Sequence, residues 1–406
     1  MPVILFLMIL TEIKSLLPLK IFIPICIIIL LNITSCGDSP SSIGSDLLKD
    51  DLITLQVIDS QTDSLPQSSH SFKKAVRLGN ASRLLVGRSA GVEAASLIRF
   101  FFYFPDSITK EILNDQIQVV SSKVTLLTEY SLGEETSSYG ITVHRIRNSW
   151  TQETFTSDSI SLLQFDSDDV ATNKVYDDSV HSFNIDNEMV KSWLQSVSDT
   201  AKPIEYGIYI KAENGTGRVV GYSAYTGIIS AAPSLEVVIE KQGVYVDTLS
   251  FTPAADVSVV LGEIPDAGSE NIIVMAGLTA KTKLYFDLSG LAKGAVINKA
   301  ELTLFVDDVH TNTGSDYKDG IIAAFIEDST NSDSTSYKIK LSGDGEIFIG
   351  NITVFVQKWL DSGSNQGMLL SAEDELNGLE LFALKGSNAA NVLQRPKLKI
   401  YFTNKP

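Results

Sequence analysis

His70, His144, His181 and His310 are the side chains of this chain best suited to metal or acid–base chemistry near neutral pH. No two of them stand at metal-ligand spacing, and no His-Glu-x-x-His is present. His144 alternates with Val143 and Arg145 in a strand-like run, which reads as a surface or edge position rather than a catalytic one. Gly221-Tyr222-Ser223-Ala224-Tyr225 approaches the Gly-x-Ser-x-Gly elbow of a serine nucleophile and fails at its last position. Gly343-Asp344-Gly345 lacks the third glycine and the lysine that a phosphate loop needs. The remaining chemistry is acidic and aromatic. Asp166-Ser167-Asp168-Asp169, Asp177-Asp178, and Asp307-Asp308 with Asp316 and Asp319 sit in turn-rich stretches. Calcium takes six to eight oxygens from such loops, so Asp307, Asp308, Asp316 and Asp319 are candidate ligands for a structural calcium. None of these runs has a calcium-loop spacing, and solvated turns are the alternative. Paired carboxylates for glycoside hydrolysis need a set separation across a cleft, which spacing in the chain does not supply. Tyr222, Tyr225 and Tyr317, read as exposed aromatics in glycine- and serine-rich loops, are the candidate ligand-binding aromatics. Trp150, Trp193 and Trp359 read as core plugs.

The elements that must position these residues are almost all strands. Period-two alternation puts Ala300, Leu302, Leu304 and Val306 on one face, and does the same for Leu398, Ile400 and Phe402 and for Leu235, Val237 and Ile239. Residues 97–104 are continuously apolar apart from Arg99, as in a strand buried on both faces. The best helix signals are 187–196 and 351–361, each carrying one tryptophan.

The chain also repeats itself. Arg83-Leu84-Leu85-Val86-Gly87 and later Leu97-Ile98-Arg99-Phe100 open one half, and Asn271-Ile272-Ile273-Val274-Met275 and Lys283-Leu284-Tyr285-Phe286 open the other. A strand from Val120 matches one from Val296. The turn with Trp193 matches the turn with Trp359, a strand at Gly207 matches one at Gly367, and closing strands follow Pro233 and Pro396. This order predicts an all-β protein of two tandem β-sandwich, jelly-roll-like domains, 52–242 and 243–406, joined near 242–247.

Ahead of them stands an apolar run, 21–31, flanked by Lys14 and Lys20 and followed by Ile33-Thr34-Ser35-Cys36. The run falls well short of the roughly 20 residues of a bilayer span, and the pattern is that of a secretory signal. Residues 33–36 resemble the lipobox of bacterial lipoproteins. That resemblance implies cleavage after residue 35 and lipidation of Cys36, leaving 36–51 as a flexible tether from the membrane. Cys26, the other cysteine, would go with the signal peptide of residues 1–35, so the mature body would hold no disulfide and no thiolate metal site. The formal charge of −17 opposes nucleic-acid binding, which needs a basic face.

Lys283-Leu284-Tyr285-Phe286-Asp287-Leu288, then Val296-Ile297-Asn298-Lys299-Ala300-Glu301-Leu302, together with Trp150-Thr151-Gln152-Glu153-Thr154, resemble the DNRLRE-domain family, related to carbohydrate-binding modules found beside alginate-degrading enzymes. The second half lacks the Trp150 motif, and the first has Phe104-Pro105-Asp106 where phenylalanine-aspartate-leucine is expected. The resemblance implies a jelly roll and, in some members, sugar binding. The expectation is therefore a non-catalytic lipoprotein of the outer membrane or cell surface, held to the membrane by its lipid and binding a polysaccharide. The alternatives are a structural or assembly protein of the envelope, working through protein contacts, and a polysaccharide-active enzyme built on converging acids or a Tyr/His/Arg set.

Overall fold

A computed structural model describes residues 54–404 except 64, 200, 202–203 and 329–334. The expected signal peptide, Cys36 and the expected tether lie outside the described residues. The strands run in chain order as β1 Gln56–Asp59, β2 Gln67–Lys73, β3 Arg83–Ser89, β4 Val92–Phe100, β5 Gln118–Leu132, β6 Ile141–Arg145, β7 Ala171–Tyr176, β8 Val180–Ile185, β9 Ile208–Ala212, β10 Val219–Ser223 and β11 Ser234–Lys241. They continue as β12 Tyr245–Phe251, β13 Pro253–Leu261, β14 Asn271–Met275, β15 Ala280–Phe286, β16 Val296–Phe305, β17 Gly320–Ile326, β18 Thr335–Gly343, β19 Ile347–Asn351, β20 Met368–Ala372, β21 Leu381–Lys385 and β22 Lys397–Thr403. Helices α1 Asp106–Leu113, α2 Asn187–Ser198 and α3 Thr353–Ser362 interrupt them. The fold is all-β, and among the described residues no helix is long and apolar enough to cross a membrane.

The alternating runs bury the faces their periods predict. Ala300, Leu302 and Leu304, Leu398 and Ile400, and Leu235, Val237 and Ile239 are all fully buried. Helix α2 begins where expected because the Asp186 carboxylate accepts from Met189 N at 2.6 Å, an N-cap that satisfies one of the first-turn donors. The apolar run from Leu97 ends its strand at Phe100. Beyond it Phe102 and Phe104 turn inward, while Phe101 and Tyr103 stand 60 % and 79 % exposed. Pro105 then ends the extended backbone, and α1 docks through Ile108 and Ile112, one turn apart.

Two antiparallel sheets of eleven strands each carry the fold. Strands β3 to β13 form one; β14 to β22 together with β1 and β2 form the other. Each sheet lines its own apolar core, with Trp193 and Phe183 central in the first and Trp359 and Phe355 in the second. The expected boundary at 242/243 does not divide these sheets. Strand β12 pairs with β11 and β13 with β4, so both belong with the first half. Strand β1 pairs with β22 and β2 with β15, so the beginning of the described chain completes the sheet of the second half. A third core cluster mixes residues of both halves, Leu85, Tyr130 and Val260 with Ile273, Met275 and Leu381, and residues 55–404 pack as one compact unit.

Side-chain hydroxyls mark the equivalence of the two halves. Ser258 Oγ, on β13, accepts from Leu85 N at 2.8 Å, and Ser96 Oγ donates to Leu85 O at 3.0 Å. In the other half Ser71 Oγ, on β2, accepts from Ile273 N at 2.7 Å, and Thr282 Oγ1 donates to Ile273 O at 2.8 Å. Ser96 with Ser258, and Ser71 with Thr282, are themselves in contact at 3.2 and 2.8 Å. Strands β3 and β14 share a ladder with β4 and β15 only near their hairpin turns, so beyond those turns the hydroxyls satisfy backbone groups that would otherwise be buried and unpaired.

Glu205, just before β9, supplies a pH test of this packing. It is 8 % exposed and its Oε1 has no hydrogen bond. Burial pushes its carboxyl up from 4.5 to about 8, against the pull of Gly207 N–H, Arg99 and Arg145. A raised folded value means the stability it allows is complete below 4.5 and is lost as pH rises toward 8. Glu205→Gln is therefore expected to match the parent at pH 4 and to exceed it above pH 8 by several kcal/mol, at about 1.4 kcal/mol for each pH unit between 4.5 and 8, the cost of burying the ionised carboxylate. Thermal melts at the two pH values check this.

Candidate functional site

A polar cleft of about 670 Å³ opens on the first half. The end of β5 forms one wall with Thr128, Glu129 and Ser131, and Glu135 follows in the next loop. The β7–β8 turn brings Tyr176, Asp177 and Asp178, β8 brings His181, and Arg218 enters just ahead of β10. Ser315 comes from the second half. Its N–H donates to Ser131 O at 2.7 Å, and its Oγ accepts from Ser131 N at 2.9 Å. The neighbouring Gly314 lies flat against the Tyr130 ring, where a Cβ would collide with it, so only glycine lets this loop approach so closely.

Beneath the cleft runs a chain of hydrogen bonds. His181 Nδ1 lies 2.8 Å from Tyr222 Oη, and Tyr222 Oη lies 2.6 Å from Tyr139 Oη. Tyr139 Oη is 3.4 Å from Val86 O, beyond a good O–H···O distance. The two hydroxyls and the imidazole therefore form one connected chain, in which either tyrosine can donate to the other. The His181 ring is 3 % exposed and lines the cleft, and Nε2 has no hydrogen-bond partner among the described residues. Burial, reinforced by the Arg218 charge, lowers His181 to about 4, so it is neutral at physiological pH. Burial raises Tyr222 and Tyr139 well above the ordinary phenol value. The Tyr139, Tyr176 and His181 rings pack within 5.0–5.4 Å of one another, and the Arg218 guanidinium lies over Tyr139 at 5.4 Å.

The expected site residues are placed differently. Tyr222 is not an exposed loop aromatic. It lies on β10, 1 % exposed, because Gly221-Tyr222-Ser223 continues a strand buried on both faces. Tyr225 and Tyr317 are partly exposed, 40 % and 38 %, and neither lines the cleft. The four aspartates expected to bind calcium are not gathered around one point. Asp307 accepts from Lys385 at 2.6 Å, from Asn271 at 2.7 Å and from His310 at 3.2 Å. Burial would raise its carboxyl, but these partners hold it well below the usual range. Asp316 pairs with Arg83, and among the described residues no three acidic, histidine or cysteine side chains converge as a metal site. His144 sits on the edge strand β6 as expected, yet it is buried rather than at the surface. The carbonyls of Asp166 and Asp168 hold Nδ1 at 3.0 and 3.1 Å, and Thr142 Oγ1 holds Nε2 at 2.9 Å. The tryptophans are core, at 6, 1 and 2 % exposure for Trp150, Trp193 and Trp359.

The cleft residues were individually visible in the chain but not as a group. Asp177-Asp178 stood out as an acidic turn, and His181 follows it in the next strand. Tyr139, Tyr176 and Arg218 carry no local signal, and only strand pairing brings them beside His181. No protein-family model matches the chain, and no curated protein matches it.

Proposed function

We propose that this protein is a non-catalytic polysaccharide-binding lipoprotein of the cell surface, anchored through Cys36, with the cleft over His181 as its ligand site. Each sheet and its core are read as a jelly-roll-like sandwich serving as scaffold. The observation that carries the proposal is the cleft itself, which a histidine, an arginine, carboxylates and tyrosines line around one open polar space. Sugars present hydroxyls to such donors and acceptors and C–H faces to such rings. Charge supports the non-catalytic reading. A general base must stand deprotonated near the working pH, whereas burial keeps the Tyr139 and Tyr222 hydroxyls protonated there.

The test is retention of the full chain on immobilised polysaccharides. Saturable binding to one glycan class is expected. Asp177→Asn with Asp178→Asn should weaken it about tenfold or more, the loss of one charge-assisted contact, and Tyr225→Ala and Tyr317→Ala should leave it unchanged. A folded protein that binds no glycan would overturn the proposal. Contacts with envelope proteins would then become the leading reading, for which Phe101 and Tyr103 offer exposed apolar surface.

A further inference from the structure

The charges around the cleft narrow the class of ligand. Glu129, Glu135, Asp177 and Asp178 line it, and Arg218 is the cation among the lining residues. Glu129 has Arg83 at 3.9 Å. Glu135, Asp177 and Asp178 make no ion pair among the described residues, and Asp177 and Asp178 are exposed at the mouth. Arg218 does not neutralise them. Its guanidinium lies over the Tyr139 ring, and its Nη1 reaches the Glu135 carbonyl at 3.5 Å rather than a carboxylate. An anionic polymer entering here would meet net repulsion. Acidity alone would mean only a solvated rim. The independent feature is His181, which is 3 % exposed and yet keeps its Nε2 without a protein partner at this cleft. That nitrogen opens to the cleft and is free to bond a ligand there.

Resting on the glycan-binding reading, we propose that the cleft selects a sugar bearing a protonated amine. The Asp177 and Asp178 carboxylates take the ammonium, and His181 Nε2 bonds a hydroxyl of the same or the adjoining sugar. Binding requires the ligand amine to be charged while His181 stays neutral, and the histidine is held in place through Tyr222 and Tyr139 behind it. The other titratable groups facing His181 are Tyr176, with Arg218 and Asp177 acting on it through space.

The experiment is calorimetric titration of the full chain with glucosamine oligomers, N-acetylglucosamine oligomers, a neutral glucan and a polyuronate, at pH 5.5 and at low and high salt. Glucosamine oligomers are expected to bind at least about tenfold tighter than their N-acetylated counterparts, a difference of about 1.4 kcal/mol. The advantage should shrink as salt screens the exposed carboxylates. Asp177→Asn with Asp178→Asn should abolish the preference without changing the melting temperature. Equal affinity for the amine and N-acetyl forms, or tighter binding of the polyuronate, would overturn the amine proposal and leave glycan binding standing. Binding of none of the four glycans, with polylysine bound, would overturn both.

Discussion

A chain lacking residues 54–73 should lose the cooperative fold of its second half. Strands β1 and β2 contribute eleven register pairs to β22 and β15. Ser71 goes with them, leaving Ile273 N–H without its acceptor and Thr282 without its hydroxyl contact, and Ile58 and Leu65 no longer cover the second core. Each buried polar group left unmatched costs about 1–3 kcal/mol, against a total stability of about 5–15 kcal/mol for a typical domain. The deficit is large enough to open the sheet. Hydrogen exchange is expected to show protection lost across 271–286 and 397–403 and retained across 93–100 and 234–251, where β12 and β13 still close the first sheet. A permutant beginning at residue 74 and carrying 54–73 after Thr403 should recover the fold. Gln56 pairs with Phe402, so the new connection would be a hairpin turn like the one between Lys241 and Tyr245. Full protection in the truncated chain would show that the strand pair is dispensable.

Tyr222→Phe should destabilise the protein although it removes a single oxygen. That hydroxyl stands between His181 Nδ1 and Tyr139 Oη, and its loss leaves those two atoms facing each other across a gap. The expected cost is about 1–3 kcal/mol for each unsatisfied group, and each kcal/mol lowers the melting temperature by about 2–4 °C in a protein larger than 150 residues. His181 would also lose the contact at its Nδ1. Its carbon resonances should shift, and glycan affinity should fall with them. A variant as stable as the parent would mean the three side chains are not a connected network. Tyr225→Phe is the control, since the Tyr225 contact to Asp256 is made through its backbone N–H, at 2.7 Å.

The two predictions mark where reading the chain succeeds. Period-two alternation at 299–306, 234–240 and 396–402 specified strands and their buried faces, because side chains on a strand alternate by geometry. Helices α2 and α3 were legible from their turns. Helix α1 was missed, although Pro105 followed by Asp106 and the Ile108–Ile112 spacing was its signal. Calcium was expected where aspartates cluster, but Lys385, distant in the chain, lies against Asp307. Tyr222 was taken for a loop residue because glycine and serine flank it, and those small residues instead let a strand pack closely on both faces, with Gly221 against Tyr130 and Leu85.

By itself, the sequence determined that this is an all-β protein, which of its strand faces are buried, and that the chain is acidic, with a formal charge of −17. These properties are local or compositional, and each residue carries its share of the signal. The tertiary structure alone decided that the first two strands close the last sheet and that His181, Tyr222 and Tyr139 form one hydrogen-bonded chain under an acidic cleft. The physical reason is shared. Backbone pairing is nearly indifferent to side-chain identity, so which strand lies beside which is settled by the packing of the whole core. The residues of the cleft, far apart in the chain, become neighbours only when that packing is complete.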